Sequence, residues 1–432
     1  MTEVLEFVDL SPCSHPLTSE DESWLARVQD EVDLSPHVVR LGDAQEGMEP
    51  IVSCDPFGRW RAGRYIGHLS LGDRRLVIKP RLGLAVIERL LDGAFNLITP
   101  PESAARRESE AFIARLLARV WCRAVDAASR HGPPGLRIAV RHESWFVRGR
   151  LDLRQTMRLR RTGSPRIVST AYEKSLDHAI SRTLVCAERA LNSQLGGTGE
   201  WRTDRVRDVM PHLQAAVGSR PRLPNRREIS RIRYTPITRP YQRAVEISHR
   251  IAERRGFLAA AEPGRSEGLL IDVAELWELF VLHCVRRAFP GFDVEHGAKS
   301  RTTAHLLKSM SGPTRGLGVL LPDVLVRSGS TVIAVIDAKY KRLTFSRERP
   351  NGVARDDLYQ LAAYLGRFGG DGRAVGVLAY PDDESAPAYA AVHGPWRNES
   401  GNPVHFLRLA VDADGCTATL RSLLTPTGDV RG

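Results

Sequence analysis

The strongest constraint on this chain is a pair of apolar runs that each carry a carboxylate. Leu317-Gly-Val-Leu-Leu-Pro-Asp-Val-Leu-Val326 is interrupted by Pro322-Asp323, and Thr331-Val-Ile-Ala-Val-Ile-Asp-Ala-Lys-Tyr340 closes on Asp337-Ala338-Lys339. Each run has the length and side-chain content of a strand. Arg327-Ser-Gly-Ser330 between them has the composition of a short turn, so the two runs predict a hairpin. A charge at the end of an apolar strand is costly unless it is paired or liganded.

Strand geometry decides what these charges can do. Side chains alternate faces, which puts Ile333, Val335, Asp337 and Lys339 on one side. An odd loop sets odd positions opposite odd positions and brings Asp323 beside Asp337. An even loop separates them unless a bulge restores the parity. The spacing leaves both registers open. In the first, two carboxylates and one ammonium meet at the end of a buried sheet, a donor set that suits Mg²⁺ next to a phosphate. A Pro-Asp turn and an Asp-x-Lys strand end also occur by chance in chains with no such role.

The flanking segments supply further candidates. Asp356-Asp-Leu-Tyr-Gln-Leu-Ala-Ala-Tyr-Leu365 predicts a helix with acidic residues in its first turn. Gln360 and Tyr364 lie four apart on one face of it, as site residues or as a surface pair. Leu269 to Val285 predicts another helix, with Glu275, Glu278 and Leu282 in a stripe; Glu278 faces either the site or solvent. Ala374 to Tyr380 predicts a strand ending at Pro381.

Composition narrows the class. The net charge of +11 favours a polyanionic partner. The excess includes Arg158-Leu-Arg-Arg161, Arg220-Pro-Arg222, Arg226-Arg227 and Arg231-Ile-Arg233. These stretches carry few aromatic residues, which points to phosphate contact over base stacking, or to solvated loops. Six scattered cysteines form no Cys-x-x-Cys, which weighs against zinc ribbons and iron–sulfur clusters. No Gly-x-x-x-x-Gly-Lys-Ser/Thr occurs, so nucleotide hydrolysis by this chain is not expected. No segment has the apolar length of a membrane span and the start has no basic leader pattern. A soluble cytoplasmic protein with reduced thiols, and no membrane partner, is the expectation.

Three parts are expected: a β-rich region 1–95, a mostly helical region 96–265, and an α/β domain 266–432. Gly72-Asp73 marks a two-residue hairpin turn between Trp60–Leu71 and Arg74–Pro80. Arg61, Arg64, Arg74 and Arg75 on it are either donors for a partner or ordinary solvated strand positions. Ser103 is a plausible N-cap for a helix to about Arg130, with Phe112, Leu116, Leu117, Val120, Trp121 and Ala124 on its apolar face. Two further helices are expected from Leu176 to about Leu191 and from Tyr241 to Arg255.

Taken together, helix, strand, Pro-Asp, strand, Asp-x-Lys and then Gln-x-x-x-Tyr on a helix resembles the PD-(D/E)xK nucleases. Asp337-Ala-Lys-Tyr-Lys341, with Ile271-Asp-Val-Ala-Glu-Leu-Trp-Glu278 before it and Leu378-Ala-Tyr-Pro381 after it, is similar to McrC, the nuclease subunit of McrBC modification-dependent restriction systems. Gly63-Arg-Tyr-Ile-Gly67, Leu76-Val-Ile-Lys-Pro80 and Arg148-Gly-Arg-Leu-Asp152 extend the resemblance upstream. The resemblance implies an α+β multidomain chain whose C-terminal domain is restriction-endonuclease-like with a central mixed sheet. It implies catalytic positions at Asp323, Asp337 and Lys339, supported by Glu278, Gln360 and Tyr364. Mg²⁺ (or Mn²⁺) would be held by Asp323, Asp337 and the carbonyl of Ala338. It also implies DNA as substrate and a separate AAA+ GTPase, McrB-like, as partner, with the β-rich region 1–95 docking on it. Two rivals stand beside this reading: a stand-alone repair or recombination nuclease of the same fold, and a non-catalytic assembly factor that activates the GTPase.

Overall fold

A computed structural model of the chain describes residues 3–34, 37–39, 41, 48–95, 108–197, 199–218, 220–253, 266–297, 304–310, 316–341, 343, 352–370, 372–382 and 392–424. The chain divides into two units. One joins residues 1–102 to 259–432, and the other is the stretch 103–258 between them. No described helix is long and apolar enough to cross a membrane.

The first unit begins with β1 (Glu3–Val8), α1 (Ser19–Glu31), β2 (Val38–Val39) and the short pair β3 (Val52–Cys54) and β4 (Trp60–Ala62). Thr18 and Asp21 start α1 with a reciprocal cap, each side chain accepting the other's backbone N–H. β5 (Tyr65–Leu71) and β6 (Arg74–Lys79) are joined by the Gly72-Asp73 turn, where Gly72 takes a φ of 67° that favours glycine. α2 (Leu84–Phe95) follows.

The second unit holds α3 (Glu108–Ala128), β7 (Leu136–Ser144), β8 (Arg150–Leu151), α4 (Leu153–Arg161), β9 (Ile167–Ser175), α5 (Ala179–Gln194), α6 (Asp204–Val217), α7 (Arg226–Ser230) and α8 (Tyr241–Glu253). Leu117, Val120, Trp121 and Ala124 of α3 are buried, and the Trp121 indole donates to Ser248 Oγ on α8 at 2.7 Å. Ser103 and the side chains of Phe112 and Leu116 lie outside what is described. The unit is not only helical: β7, β9 and β8 form an antiparallel sheet. α5 starts at Ala179 and not Leu176 because β9 runs to Ser175.

Back in the first unit are β10 (Ser266–Asp272), α9 (Val273–Ala288), β11 (Asp293–His296), β12 (Ala304–Lys308), β13 (Gly316–Leu320), β14 (Val324–Ser328) and β15 (Thr331–Ala338). They are followed by α10 (Arg355–Phe368), β16 (Val375–Pro381), β17 (Val392–Arg397), β18 (Pro403–Leu409) and α11 (Ala413–Leu424). Two expectations change here. The helix expected from Leu269 begins only at Val273, because Ser266–Asp272 is a strand and the Asp272 carboxylate caps the N–H groups of Ala274 and Glu275. The run 317–326 is two strands and not one. Pro322 has no N–H to continue a ladder, so the chain breaks at Leu321-Pro322-Asp323 and β13 pairs with β12 instead.

The three-part division is also revised. β10 inserts between β5 and β2 in a five-stranded sheet of order β1-β6-β5-β10-β2, so the first and last parts of the chain share one sheet and one unit. Trp24, Leu25, Leu69, Leu76 and Leu270 are in its core. The β5–β6 hairpin is therefore central, and its arginines are engaged. Arg74, 7% exposed, pairs with Glu3, Glu20 and Asp21, Arg64 with Asp272 and Glu49, and Arg75 donates to Ser70 Oγ. Arg61 donates to the Leu10 carbonyl. A six-stranded mixed sheet, β11-β14-β15-β16-β18-β17, carries the C-terminal acidic motif. α10 packs on β15 and β16, while α9 lies against β15, α2 and α11.

Candidate active site

Parity is settled by a bulge. The turn between β14 and β15 is the even one, Gly329-Ser330, with Ser328 opposite Thr331. That register sets odd against even. Between Val326↔Ala334 and Arg327↔Val332 the residue Ile333 has no opposite number, and beyond it even positions face even ones, as in Val324↔Ile336. Asp323, one step before Val324, thus falls on the same side as Asp337. Its Oδ2 accepts the Ala338 N–H at 2.6 Å.

Asp337 is 1% exposed and pairs through Oδ2 with Lys339 Nζ at 2.8 Å. The same ammonium donates to Gln360 Oε1 at 2.8 Å. Gln360 Nε2 donates to the Tyr364 hydroxyl at 2.7 Å, and that hydroxyl donates to the Leu321 carbonyl at 3.1 Å. Helix α10 thereby ties Lys339 to the break that presents Pro322-Asp323. Gln360 and Tyr364 are one face of that helix, and they are brought to the carboxylates and not left as a surface pair. Glu278, half-buried on α9, is close enough to act on the charge of Asp323.

The electrostatics follow from crowding. Burial raises the Asp323 pKa well above the usual carboxylate range, and the negative charges of Glu278 and Asp337 add to it; Lys339 and the Ala338 N–H oppose it. For Lys339 burial works against the charge, but Asp337, Asp323 and Asp357 outweigh it and hold the pKa above normal. The lysine is a fixed cation and one ammonium is shared among several carboxylates.

That imbalance is the test of whether a divalent ion fits. Hard oxygen donors with an excess of negative charge are what Mg²⁺ selects. Among the described residues no three His, Cys, Asp or Glu side chains form a ready metal cage. A cation here would draw on Asp323, Asp337 and the Ala338 carbonyl, with water or phosphate oxygens completing its shell, which suits an ion that keeps several exchangeable ligands.

A supporting layer escaped the sequence reading. Asp357, 3% exposed in the first turn of α10, accepts from Lys341 Nζ at 2.7 Å and from the Tyr380 hydroxyl at 3.0 Å. The Trp277 indole on α9 donates to the Ala379 carbonyl at 3.0 Å, and the Lys339 N–H to the same carbonyl at 2.8 Å. Tyr340 is buried under the Arg81 guanidinium, 4.5 Å from the ring centroid, and Asp9 holds Arg81. The signal for Asp357 was present as an acidic first turn, but its partners lie 16 and 23 residues away in the chain.

Comparisons with known proteins bear on the whole chain. A solved half-complex from a tetradecameric assembly of Thermococcus gammatolerans McrB AAA+ hexamers with bound McrC contains a similar chain. It is 14% identical, with a TM-score of 0.56, over 97% of this chain and 98% of that one, so the two share a fold. A chain of the cryo-EM structure of the Thermococcus gammatolerans McrBC complex is also 14% identical. It covers 66% of this chain and 88% of that one at a TM-score of 0.35, below the level of a shared fold. No curated protein matches. The family described as McrBC 5-methylcytosine restriction system component matches residues 60–381, well over half of the sequence. The chain belongs to that McrBC family of restriction-system components.

Proposed function

We propose that this chain is the nuclease subunit of a modification-dependent restriction complex: a DNA endonuclease dependent on Mg²⁺ or Mn²⁺ that cuts when assembled with a separate AAA+ GTPase. The observation that carries the proposal is the bulge-corrected register that sets Asp323 beside Asp337, with Lys339 2.8 Å from the latter. Family membership supports it. So does the shared fold with a chain from an assembly of McrB AAA+ hexamers with bound McrC. The six-stranded mixed sheet flanked by α9 and α10 would be its PD-(D/E)xK domain.

Asp323, Asp337 and the Ala338 carbonyl would hold the ion. When bound, it would polarise the scissile phosphate and lower the pKa of a coordinated water. Lys339, kept protonated by its carboxylate neighbours, orients the attacking water and offsets charge on the phosphate as the P–O bond to the leaving group breaks. Gln360 holds that ammonium in place and Tyr364 holds Gln360. Glu278 adds negative charge beside Asp323 and would anchor a water or a second ion. The chain has no phosphate-cradling loop of its own, so GTP hydrolysis falls to the partner.

The test is a cleavage assay on modified DNA with the AAA+ partner present. Asp337→Asn and Lys339→Ala should each lower cutting by at least about a hundredfold while leaving the far-UV spectrum and the partner's GTPase stimulation intact. EDTA should stop the wild type, and Ca²⁺ should bind without supporting turnover. Cutting at wild-type rate by both variants, or after exhaustive chelation, is incompatible with this site.

A further inference from the structure

The strand that carries Asp337 loses its ladder just where the lysine of the site begins. Pairing of β15 with β16 ends at Ala338↔Ala379. The Lys339 N–H still reaches the Ala379 carbonyl, and the Lys341 N–H then turns back to the Lys339 carbonyl at 2.9 Å. Lys339 and Lys341 both reach α10, at Gln360 and Asp357. Tyr340 between them, 4% exposed, packs instead under the Arg81 guanidinium, 4.5 Å from the ring centroid. A lysine carries its ammonium on a flexible stem, so its aim depends on how firmly the backbone beneath it is held. Past Ala338 that hold falls to the Tyr340 side chain.

The pocket that receives Tyr340 is built by two neighbouring strands of the five-stranded sheet. β1 and β6 run parallel with Val8 opposite Lys79, and both leave the sheet at the same end. Asp9 follows the first directly, and Arg81 follows the second after Pro80. The Arg81 N–H donates to Asp9 Oδ1, and Arg81 Nε lies 3.8 Å from Asp9 Oδ2. The Asp9 side chain is 0% exposed and that of Arg81 6%. Arg81 and the Tyr340 hydroxyl both draw the Asp9 carboxyl toward ionisation, against its burial.

Stability alone would not select this arrangement. Among the described residues, Asp9 Oδ2, Arg81 Nε and Nη2 and the Tyr340 hydroxyl have no direct hydrogen-bond partner. An ion pair taken out of water with its hydrogen bonds incomplete gains less than it loses, and apolar groups of the same volume would serve the fold as well or better. Leu10, next to Asp9, takes a φ of 51°, which is unfavourable for a residue with a Cβ, and its N–H is tied to the Gly63 carbonyl at 3.0 Å. Costs of both kinds converge on the residue that follows Lys339. Local strain of this sort persists where it serves a site.

We propose that Asp9 and Arg81 are positioning residues for Lys339: they clamp Tyr340, and the clamped ring fixes the turn from which Lys339 reaches Asp337. The inference rests on the nuclease reading and adds to its site two residues from the opposite end of the chain. It gives the five-stranded sheet a part in the chemistry without contact with substrate.

The experiment separates aim from stability. Asp9→Asn/Arg81→Met removes both buried charges together at similar volume, so no lone ion is left behind. Full-length protein is assayed with the AAA+ partner in single turnovers on modified DNA. The double variant should unfold in urea no more easily than wild type and bind DNA with unchanged affinity. At saturating DNA it should cut at least about tenfold more slowly. Hydrogen exchange at the Lys339 and Lys341 amides should quicken by about tenfold, a readout independent of cutting. Tyr340→Leu should show the same losses, and adding it to the double variant should enlarge neither, because both act through one ring. Wild-type cutting and exchange in the double variant would overturn the proposal, and so would losses that add. Early unfolding with DNA binding and cutting lost together would also overturn it, since the cluster would then be an ordinary part of the core. A wild type that never cuts removes the nuclease reading alone, and the exchange measurements still decide the clamp.

Discussion

At the scale of single residues, Asp272 shows how one carboxylate serves two elements at a cost. It ends β10, caps α9 and pairs with Arg64 at 2.9 Å, but it is 7% exposed. Burial raises its pKa from 3.8 to about 6, against the pull of Arg64 and the capping N–H groups. The folded protein therefore keeps a proton that the unfolded chain has already released. Stability from this group is full below the unfolded value and is lost as pH rises through about 6, a total on the order of 3 kcal/mol. Asp272→Asn keeps a capping oxygen and does not titrate. The unfolding free energy of wild type, measured in urea, should fall relative to that of Asp272→Asn as pH rises from about 4 to about 7. A gap that stays constant with pH contradicts the assignment. Asp272 was legible in the sequence only as part of a helix, because Leu269-Leu-Ile271 before it and Val273-Ala274 after it are apolar and a buried strand running straight into a helix shows no change of period. Lys339 and Gln360 were legible as candidates; that the amide accepts from the ammonium depends on α10 packing over β15, which spacing does not encode.

Among the elements, the β14–β15 hairpin is the most informative. Its turn has two residues, so a regular ladder would throw Asp323 and Asp337 to opposite faces. Ile333 corrects the parity by standing without a partner. Deleting Ile333 should therefore leave a regular ladder that keeps Val326 opposite Ala334 and Val324 opposite Ile336, with Asp323 still on the side of Asp337. Cleavage should survive that deletion at a reduced rate, because only the bend and the packing of Ile333 are lost. One alanine inserted between Ile333 and Ala334 should instead lower cutting to the level of Asp337→Asn, because Asp337 then moves one position along the strand and onto the other face. Wild-type cutting by the insertion variant, with a native near-UV spectrum, would show that this register does not set the site. Sequence could state both registers and the condition that separates them. It could not choose, because a bulge is fixed by how the strand bends against α9 and α10. The strand break at Pro322 was similarly visible as a proline and misread as a mere interruption, since β13 needed β12 as its alternative partner.

For the whole molecule, the unit that joins residues 1–102 to 259–432 changes what a truncation can mean. The region 1–95 reads in sequence as a detachable docking module, and that division misses a sheet completed from both ends of the chain. Removing it takes β1, β2, β5 and β6, leaving β10 with no neighbour on either side. It also takes α2 from α9, the helix that bears Glu278, and strips Arg81 and Asp9 from Tyr340, the residue after Lys339. A fragment of residues 96–432 should thus fail as a folded protein: aggregated on gel filtration, cleaved early by a trace protease, and inactive on DNA even with the partner present. Loss of partner binding in that fragment would then say nothing about docking. Docking has to be sought with substitutions at exposed positions of this region that keep the sheet, such as Phe57, 83% exposed at the β3–β4 turn. If 96–432 is instead monomeric, protease-resistant and able to cut, the five-stranded sheet is not required by the carboxylate site. The N-terminal strands would then be free to act as a separate docking module after all.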